Sequence, residues 1–331
     1  MNKYFFGVDV GSSKTRALIA DEFGQILGLG ESGPGNHEVV GYSGLTEALH
    51  AAAGQAFASA ALQKDQIIGA GFGISGYDWP SEKKPILQAI NALSLTAPVQ
   101  VVNDAILGLL AGSAQGWGIA LVSGTGCNCW GWDRERQREG RVTGNGISMG
   151  EAAGASDLVF KAVQAVAYEW TRRGPPTRLT EAFLDKTGYR TLMEMLDALV
   201  TGQISLDAST APLVFQIAAA GDPVAIELIK WAGCELGELA KCVIRQLEFE
   251  KLAFDVVLVG SMFDGGLLLI EPLRRTILDY APEARLVRLM VPPVTGAVLL
   301  GMEAAGYKPA EGIRKQLITG ITNHQAPPLL T

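Results

Sequence analysis

The sequence predicts an α/β protein of two tandem domains, the second enlarged by a helical insertion. Three observations carry that expectation. The chain has 331 residues, more than one hydrophobic core usually organises. One order of elements, β-β-β-α-β-α-β-α, is legible twice along it. A composition 48% hydrophobic and 18% charged supplies enough apolar material for packed cores. The domains are expected at residues 1–114 and 115–331.

The first copy opens with residues 4–10, 15–21 and 25–31, short β-rich or alternating runs separated by Gly-Ser and Asp-Glu-Phe-Gly turns. That is the pattern of consecutive hairpins. Apolar residues at helical spacing, with many alanines, predict a helix over 45–62. A buried strand over 66–74 follows, then a helix over 80–93 with Pro80 in its first turn, a strand over 99–102 and a helix over 105–111. The second copy has strands over 118–123, 127–132 and 140–143 and a helix over 151–170. Residues 178–220 read as the helical insertion, clearest at 192–199 and 212–220. A long amphipathic helix over 222–247 leads to a strand over 255–260, a helix over 266–280, a strand over 285–289 and a helix over 294–306. The proline-rich, polar tail, 307–331, is assigned no function.

Composition also excludes. The formal charge is −7, and the basic residues are scattered or paired, as at Lys83-Lys84 and Arg172-Arg173, so no nucleic-acid surface is expected. Asp9 interrupts the apolar stretch an export signal needs, and no segment approaches the ~18 apolar residues of a membrane helix. Four cysteines, Cys127, Cys129, Cys234 and Cys242, are too few for a disulfide scaffold in so long a chain. A cytoplasmic protein with no membrane partner is the expectation.

The most informative stretch is Gly7-Val8-Asp9-Val10-Gly11-Ser12-Ser13-Lys14-Thr15. A strand ending in a carboxylate, a Gly-Ser turn with outward N–H groups and a hydroxyl on the returning strand form an anion nest beside a metal-organising charge. Such a turn suits a polyphosphate with its magnesium; the plain alternative is a tight hairpin. It lacks the G-x-x-x-x-G-K-[ST] spacing of a Walker A loop. A second turn, Ser123-Gly124-Thr125-Gly126, occupies the equivalent place in the second copy, and two such nests can hold β- and γ-phosphates from both sides of a cleft. Gly260-Ser261, followed by Asp264-Gly265-Gly266, ends a buried strand in small residues that let backbone approach a purine and ribose. The alternative there is an ordinary strand-to-helix turn.

The ordered set Asp9-x-Gly11-x-x-x-Thr15, Asn103-Asp104, Gly124-Thr125-Gly126 and Gly260-Ser261 resembles the actin, hexokinase and Hsp70 superfamily. Within it the chain is similar to the BadF/BadG/BcrA/BcrD ATPase family, which includes N-acetylglucosamine kinases. The resemblance spans about residues 4–305. It implies two ribonuclease-H-like domains closing on Mg-ATP, with Asp9 organising Mg2+ and Gly11, Ser12, Ser13, Lys14, Thr15, Gly124, Thr125, Gly126, Gly260, Ser261 and Gly265 contacting ATP. It further implies a small-molecule sugar acceptor, N-acetylglucosamine foremost, with glucosamine or N-acetylmuramic acid as alternatives, and allows a homodimer.

For the acceptor, Gly33-Pro34-Gly35-Asn36-His37 resembles the loop by which such kinases reach sugar hydroxyls through the asparagine. Asn103-Asp104 resembles their sugar-binding pair, with Asp104 as general base. A primary alcohol attacking a γ-phosphoryl group needs a carboxylate to orient it and take its proton; capping the next helix is Asp104's structural alternative. Relatives carry Gly-Asp-Glu-Gly-Ser before the long helix where this chain has Gly150-Glu151-Ala152-Ala153-Gly154, so Glu151 replaces a sugar-binding aspartate. Its plain alternative is a first-turn acid complementing the helix dipole.

Other patterns are weaker. Gly71-Phe72-Gly73-Ile74-Ser75-Gly76 matches G-x-G-x-x-G, but Tyr77-Asp78-Trp79-Pro80 follows and no helix opens at the third glycine. In the kinase reading Ser75 and Gly76 line the acceptor cleft. Gly146-Ile147-Ser148-Met149-Gly150 spells a nucleophile elbow without the strand and histidine it needs. Cys127-x-Cys129 reads as alternating buried strand thiols. The resemblance also leaves a second class open: an ATP-driven conformational activator of a partner enzyme, of the hydroxyacyl-CoA dehydratase or benzoyl-CoA reductase type.

Overall fold

The computed structural model describes residues 2–309 and 311–325. The first copy runs β1 (Tyr4–Val10), β2 (Thr15–Asp21), β3 (Ile26–Ser32), α1 (His37–Ala60), β4 (Ile67–Ile74), α2 (Lys83–Asn91), β5 (Val99–Asn103) and α3 (Asp104–Gly112). The second runs β6 (Gly118–Ser123), β7 (Cys127–Trp132), β8 (Glu139–Val142) and α4 (Ala155–Trp170). After α5 (Leu179–Thr187), α6 (Leu192–Val200) and α7 (Ala211–Ala219) it resumes with α8 (Pro223–Leu247), β9 (Asp255–Val259), α9 (Leu267–Leu278), β10 (Arg285–Arg288) and α10 (Val294–Ala304). A last helix, α11, covers Glu311–Gln325.

The strands form two five-stranded sheets, ordered β3-β2-β1-β4-β5 and β10-β9-β6-β7-β8. Read from opposite edges the two orders are the same, which is the repeat seen in the sequence. In the first sheet β1 pairs antiparallel with β2 and β2 with β3, while β1–β4 and β4–β5 are parallel.

By packing, the chain divides into two compact units. Unit 1 comprises Met1–Ala120, Gly131–Gln137 and Val287–Thr331; unit 2 comprises Leu121–Trp130 and Arg138–Leu286. This differs from the expected 1–114 and 115–331 division, because the C-terminal segment packs with the N-terminal unit. The cause is visible on β1. Its side chains alternate between faces: Phe6, Val8 and Val10 join Leu45, Leu49 and Phe57 of α1, while Phe5 joins Val294, Val298 and Met302 of α10 and Leu317 and Ile321 of α11. At Gly7 and Gly71 the backbone of α10 lies directly on the sheet, since a Cβ at Gly7 would lie 2.5 Å from Val298 N and one at Gly71 2.2 Å from Ala297 O. The G-x-G pattern therefore serves helix-on-sheet packing.

Three expectations change in detail. Helix α1 starts at His37, eight residues before the expected 45, because one helical turn precedes a break at Gly41 (φ 69°, ψ 172°). The tail, assigned no function, contains α11. Within residues 178–220, α6 and α7 match the two clearest pieces, and α5 is additional. In unit 2, α8 is capped by Asp222, whose Oδ1 accepts from Ala225 N at 2.8 Å, and buries Ile229, Leu236, Val243 and Leu247. Among the described residues no helix is long and apolar enough to cross a membrane.

Candidate functional site

In unit 1 the β1–β2 connection is a tight turn closed by Gly11 N donating to Lys14 O at 2.9 Å. Ser12, Ser13 and Lys14 are exposed on it, as an anion nest requires. Thr15 is different: it is fully buried, its Oγ1 has no hydrogen-bond partner among the described residues, and a Cβ at Gly35 would lie 2.6 Å from that oxygen. Its hydroxyl packs beneath the Gly33–Asn36 loop rather than on the open face of the turn.

Asn36 ties that loop to the turn. Its Oδ1 caps α1, accepting from Glu38 N at 2.9 Å, and its Nδ2 donates to Ser12 Oγ at 3.0 Å and reaches Ser75 Oγ at 3.5 Å. Ser12 Oγ and Ser75 Oγ are themselves 3.4 Å apart. Gly76 completes the cluster with φ 81°, and a Cβ there would meet Asn36 Oδ1 at 2.5 Å, so both conformation and space require glycine. The structure thus brings Ser12, Asn36, Ser75 and Gly76 together from three segments far apart in sequence.

Asn103 and Asp104 divide their roles. Asn103 ends β5, is buried, and caps α3 by accepting from Ala105 N at 3.0 Å; its Nδ2 donates to Asp78 Oδ1 at 3.0 Å and Tyr77 O at 3.3 Å. The helix cap expected as Asp104's alternative role therefore belongs to its neighbour. Asp104 is the first residue of α3, and its Oδ1 is buried without a hydrogen-bond partner among the described residues. Burial pushes its carboxyl up to about 6, against the lowering effect of hydrogen bonds from Ala105 N and the Ser75 hydroxyl. Asp9, next to Val10 at the end of β1, is pushed up to about 7, first by burial and second by the charge of Asp104, with Arg16 and Lys14 opposing. Arg16 and Lys14 also face Glu31, at 2.7 and 3.9 Å. Two neighbouring carboxylates whose ionisation is resisted, one with an unused oxygen, can orient and deprotonate an alcohol near neutral pH.

Unit 2 assembles its own cluster. In the β6–β7 turn Gly124 N donates to Gly126 O at 2.9 Å, leaving Thr125 and Gly126 exposed. The turn is latched to the start of α4 by Ala155 N to Gly124 O at 2.8 Å and Ser156 N to Thr125 O at 3.0 Å. Gly260, at φ 111°, lies against the same turn, since a Cβ there would be 2.2 Å from Ser123 O. Ser261 and Gly265 line a cavity of about 330 Å³ with Ala155, Met262, Asp264 and Phe215. The predicted nucleotide residues of this half are therefore contiguous.

Glu151 does not enter the first turn of α4, which begins four residues later under a Gly154 cap; the first-turn acid is Asp157, whose Oδ2 accepts from Ala153 N and Gly154 N. Instead Glu151 Oε2 accepts from Thr143 Oγ1 at 3.1 Å, Gly144 N at 2.7 Å and Asn145 N at 2.9 Å. It clasps its own loop. Ala153 beside it holds φ 111°, a strained value for a residue with a Cβ.

Sequence reasoning passed over four features. Glu38 lies beside Asn36, and Asp78 anchors Asn103. Asn128 carries a buried Oδ1 without a hydrogen-bond partner among the described residues. It sits between buried Cys127 and Cys129, where strand alternation turns it to the opposite face, and that alternation was the available signal. The α7 residue Phe215 and the preceding Ala208 and Ser209 line the cavity at Gly265, which no local motif announces. Both cysteines of β7 are free and buried, and burial pushes Cys127 up to about 12, as inert structural thiols require.

Residues 6–301 match the model of the BadF/BadG/BcrA/BcrD ATPase family, and the chain belongs to that family. Among curated relatives, the N-acetylmuramic acid/N-acetylglucosamine kinase of Clostridium acetobutylicum is 24% identical over 300 residues, covering 90% of this chain and 98% of that protein. The N-acetyl-D-glucosamine kinase of Dictyostelium discoideum is 26% identical over 314 residues, covering 91% and 98%. A Chromobacterium violaceum structure, solved as a candidate N-acetylglucosamine kinase, superposes with a TM-score of 0.65 at 24% identity, covering 90% and 98%. That likeness shows the fold.

Proposed function

We propose that this chain is an ATP-dependent sugar kinase that transfers the γ-phosphoryl group to the 6-hydroxyl of an amino sugar, N-acetylglucosamine first. The observation that carries the reading is the buried Asp104 Oδ1 without a hydrogen-bond partner among the described residues, beside the Ser12–Asn36–Ser75 cluster. A structural carboxylate would have both oxygens occupied; one awaiting a substrate hydroxyl would not. Both curated relatives are named for phosphorylating N-acetylglucosamine, which supports the choice of acceptor.

In unit 1, Asp104 orients the attacking hydroxyl and takes its proton, the Ser75 hydroxyl favours its ionised form, and Asn36 and Asn103 keep the acceptor segments in place. The exposed Gly11–Lys14 turn takes phosphate oxygens. In unit 2, the Gly124–Gly126 turn takes phosphate oxygens, and the cavity at Ser261, Gly265 and Phe215 takes the adenosine. The donor set near Asp9 fits Mg2+. Two carboxylates that resist ionisation invite a cation, and among the described residues no group of three or more His, Cys, Asp or Glu side chains forms a full cage. Magnesium typically takes one or two carboxylates and completes its shell with phosphate oxygens and water. When bound with ATP it would neutralise charge on the transferred group.

The test is ADP release measured over hexoses, hexosamines and N-acetylhexosamines, with the product's phosphate position read by 31P NMR. N-acetylglucosamine is expected to stimulate ADP release and yield the 6-phosphate. Normal ATP binding with no sugar phosphorylated would replace this reading by the activator class.

A further inference from the structure

We infer that His37 is a positioning residue of the acceptor site, acting through Glu82 to hold Asn36 in register with Asp104. The inference rests on the proposed kinase reading and gives a task to a side chain that the acceptor loop carries without an assigned role. His37 is the first residue of α1 and is 8% exposed. Its Nδ1 is buried without a hydrogen-bond partner among the described residues, and its Nε2 faces Glu82 Oε1 at 3.6 Å, beyond hydrogen-bond length. The ring stacks on Tyr42, with centroids 4.7 Å apart and planes inclined by 13°. Stacking accounts for an aromatic ring at this position but not for its nitrogens. Polar atoms held out of water without a full hydrogen bond cost stability that phenylalanine would not.

Glu82 gives those nitrogens their use. Its Oε2 accepts from Asp78 N and Trp79 N, both at 2.8 Å, and so fixes the bend after β4. Asp78 Oδ1 accepts from Asn103 Nδ2 at 3.0 Å, and Asn103 caps the helix that Asp104 begins. A continuous path therefore runs from His37 through Glu82, Asp78 and Asn103 to the residue beside the base. An ionised Glu82 can only accept, so the imidazole proton belongs on Nε2, directed along that path. The turn that carries Asn36 needs such a tie. Gly41 (φ 69°, ψ 172°) breaks α1 after its first turn, so this turn takes its place from side-chain contacts, Asn36 to Ser12 and His37 to Glu82.

The experiment measures kcat/KM for N-acetylglucosamine, KM for ATP and Tm in the wild-type protein, in His37→Phe and in His37→Gln. Phenylalanine keeps the stack on Tyr42 and removes both nitrogens. Glutamine loses the ring but can place an amide N–H close to the position of Nε2. His37→Phe is expected to lose about tenfold in kcat/KM for the sugar, the size of one buried contact to a charged group, with KM for ATP unchanged and Tm equal or higher. His37→Gln should recover most of the sugar activity at a lower Tm, the reverse of what packing alone would give. His37→Phe with wild-type sugar kinetics overturns the inference, as does a folded His37→Gln no better than His37→Phe. Equal losses toward sugar and ATP with a lowered Tm in His37→Phe overturn it in favour of a structural role. Wild-type protein that binds ATP and phosphorylates no sugar removes the kinase reading, and His37's role with it.

Discussion

Asn103 caps the helix that Asp104 begins: the Asn103 Oδ1 accepts from Ala105 N at 3.0 Å, and the adjacent Asp104 Oδ1 is left buried without a hydrogen-bond partner among the described residues. Structure and chemistry are therefore separable at neighbouring positions. Asp104→Asn should reduce kcat by at least about 10²-fold, the usual cost of losing a general base, with ATP affinity little changed and Tm equal or higher. Asn103→Ala should lower stability by about 1–2 kcal/mol, since the cap and the bond to Asp78 are both lost. Turnover and thermal melts on the same preparations check the pair, and an active Asp104→Asn protein would remove the base from the mechanism.

The two raised carboxyls predict opposite trends for activity and stability. Asp104 at about 6 and Asp9 at about 7 must both ionise to work, so kcat/KM should climb with pH through about 6 to 7 before levelling. Folding runs the other way. A carboxyl whose folded value lies above its unfolded value binds its proton more tightly when folded, so its contribution is present below about 4 and is lost as pH rises to about 7. In the ligand-free protein Asp9→Asn should therefore melt above wild type at pH 8, with the difference closing near pH 4. Millimolar Mg2+ should raise the wild-type melting point at pH 8 and leave Asp9→Asn unmoved. Scanning calorimetry across that range reads both effects.

Ala153 predicts a gain. At φ 111° its Cβ is strained, and it sits where Ser123 Oγ bonds its carbonyl at 2.9 Å and its N–H reaches Asp157. Relief of strain of about 1–3 kcal/mol exceeds the extra chain entropy glycine brings, so Ala153→Gly should stabilise the protein by about 1 kcal/mol. Chemical denaturation checks it, and a loss would mean that packing of the buried methyl outweighs the strain.

How far the sequence carried follows from which interactions are local. The repeated element order, the two glycine turns and the carboxylate following a strand's end were legible because periodicity and turn chemistry act over a few residues. The start of α1 was not, since Gly41 breaks the helical pattern between residues 37 and 45. Nor was the allegiance of residues 287–331, which depends on side-chain-free glycines of β1 and β4 meeting α10 more than 200 residues away. Glu38 and Phe215 belong to the same class. Each is an ordinary residue on a helix until the fold sets Gly76 or Gly265 against it. Thr15 shows the converse, a residue with the right motif position whose side chain the packing of Gly35 turns inward.

Glu151 gives the last prediction, and here a shorter acid is more informative than a neutral residue. Its Oε2 gathers Thr143 Oγ1, Gly144 N and Asn145 N, and its backbone N–H donates to Gly146 O at 3.0 Å, so the loop from 143 to 151 is closed at both ends by one residue. An aspartate here would place the carboxylate one methylene closer to the backbone. If Glu151 served as a direct sugar ligand with reach to spare, Glu151→Asp would keep its charge and most of its affinity. If the clasp is its work, aspartate falls short of all three donors at once, and two loop N–H groups lose their acceptor, at roughly 1 kcal/mol or more each where water cannot replace it. The expected outcome is therefore a lowered Tm in Glu151→Asp. Sugar KM should rise more than ATP KM, because Glu151 stands where the family resemblance implies a sugar-binding acid. Glu151→Gln, which keeps the length and one acceptor oxygen, should retain more stability than Glu151→Asp. The ranking of the two variants in thermal melts decides the matter: aspartate more stable than glutamine would contradict the clasp.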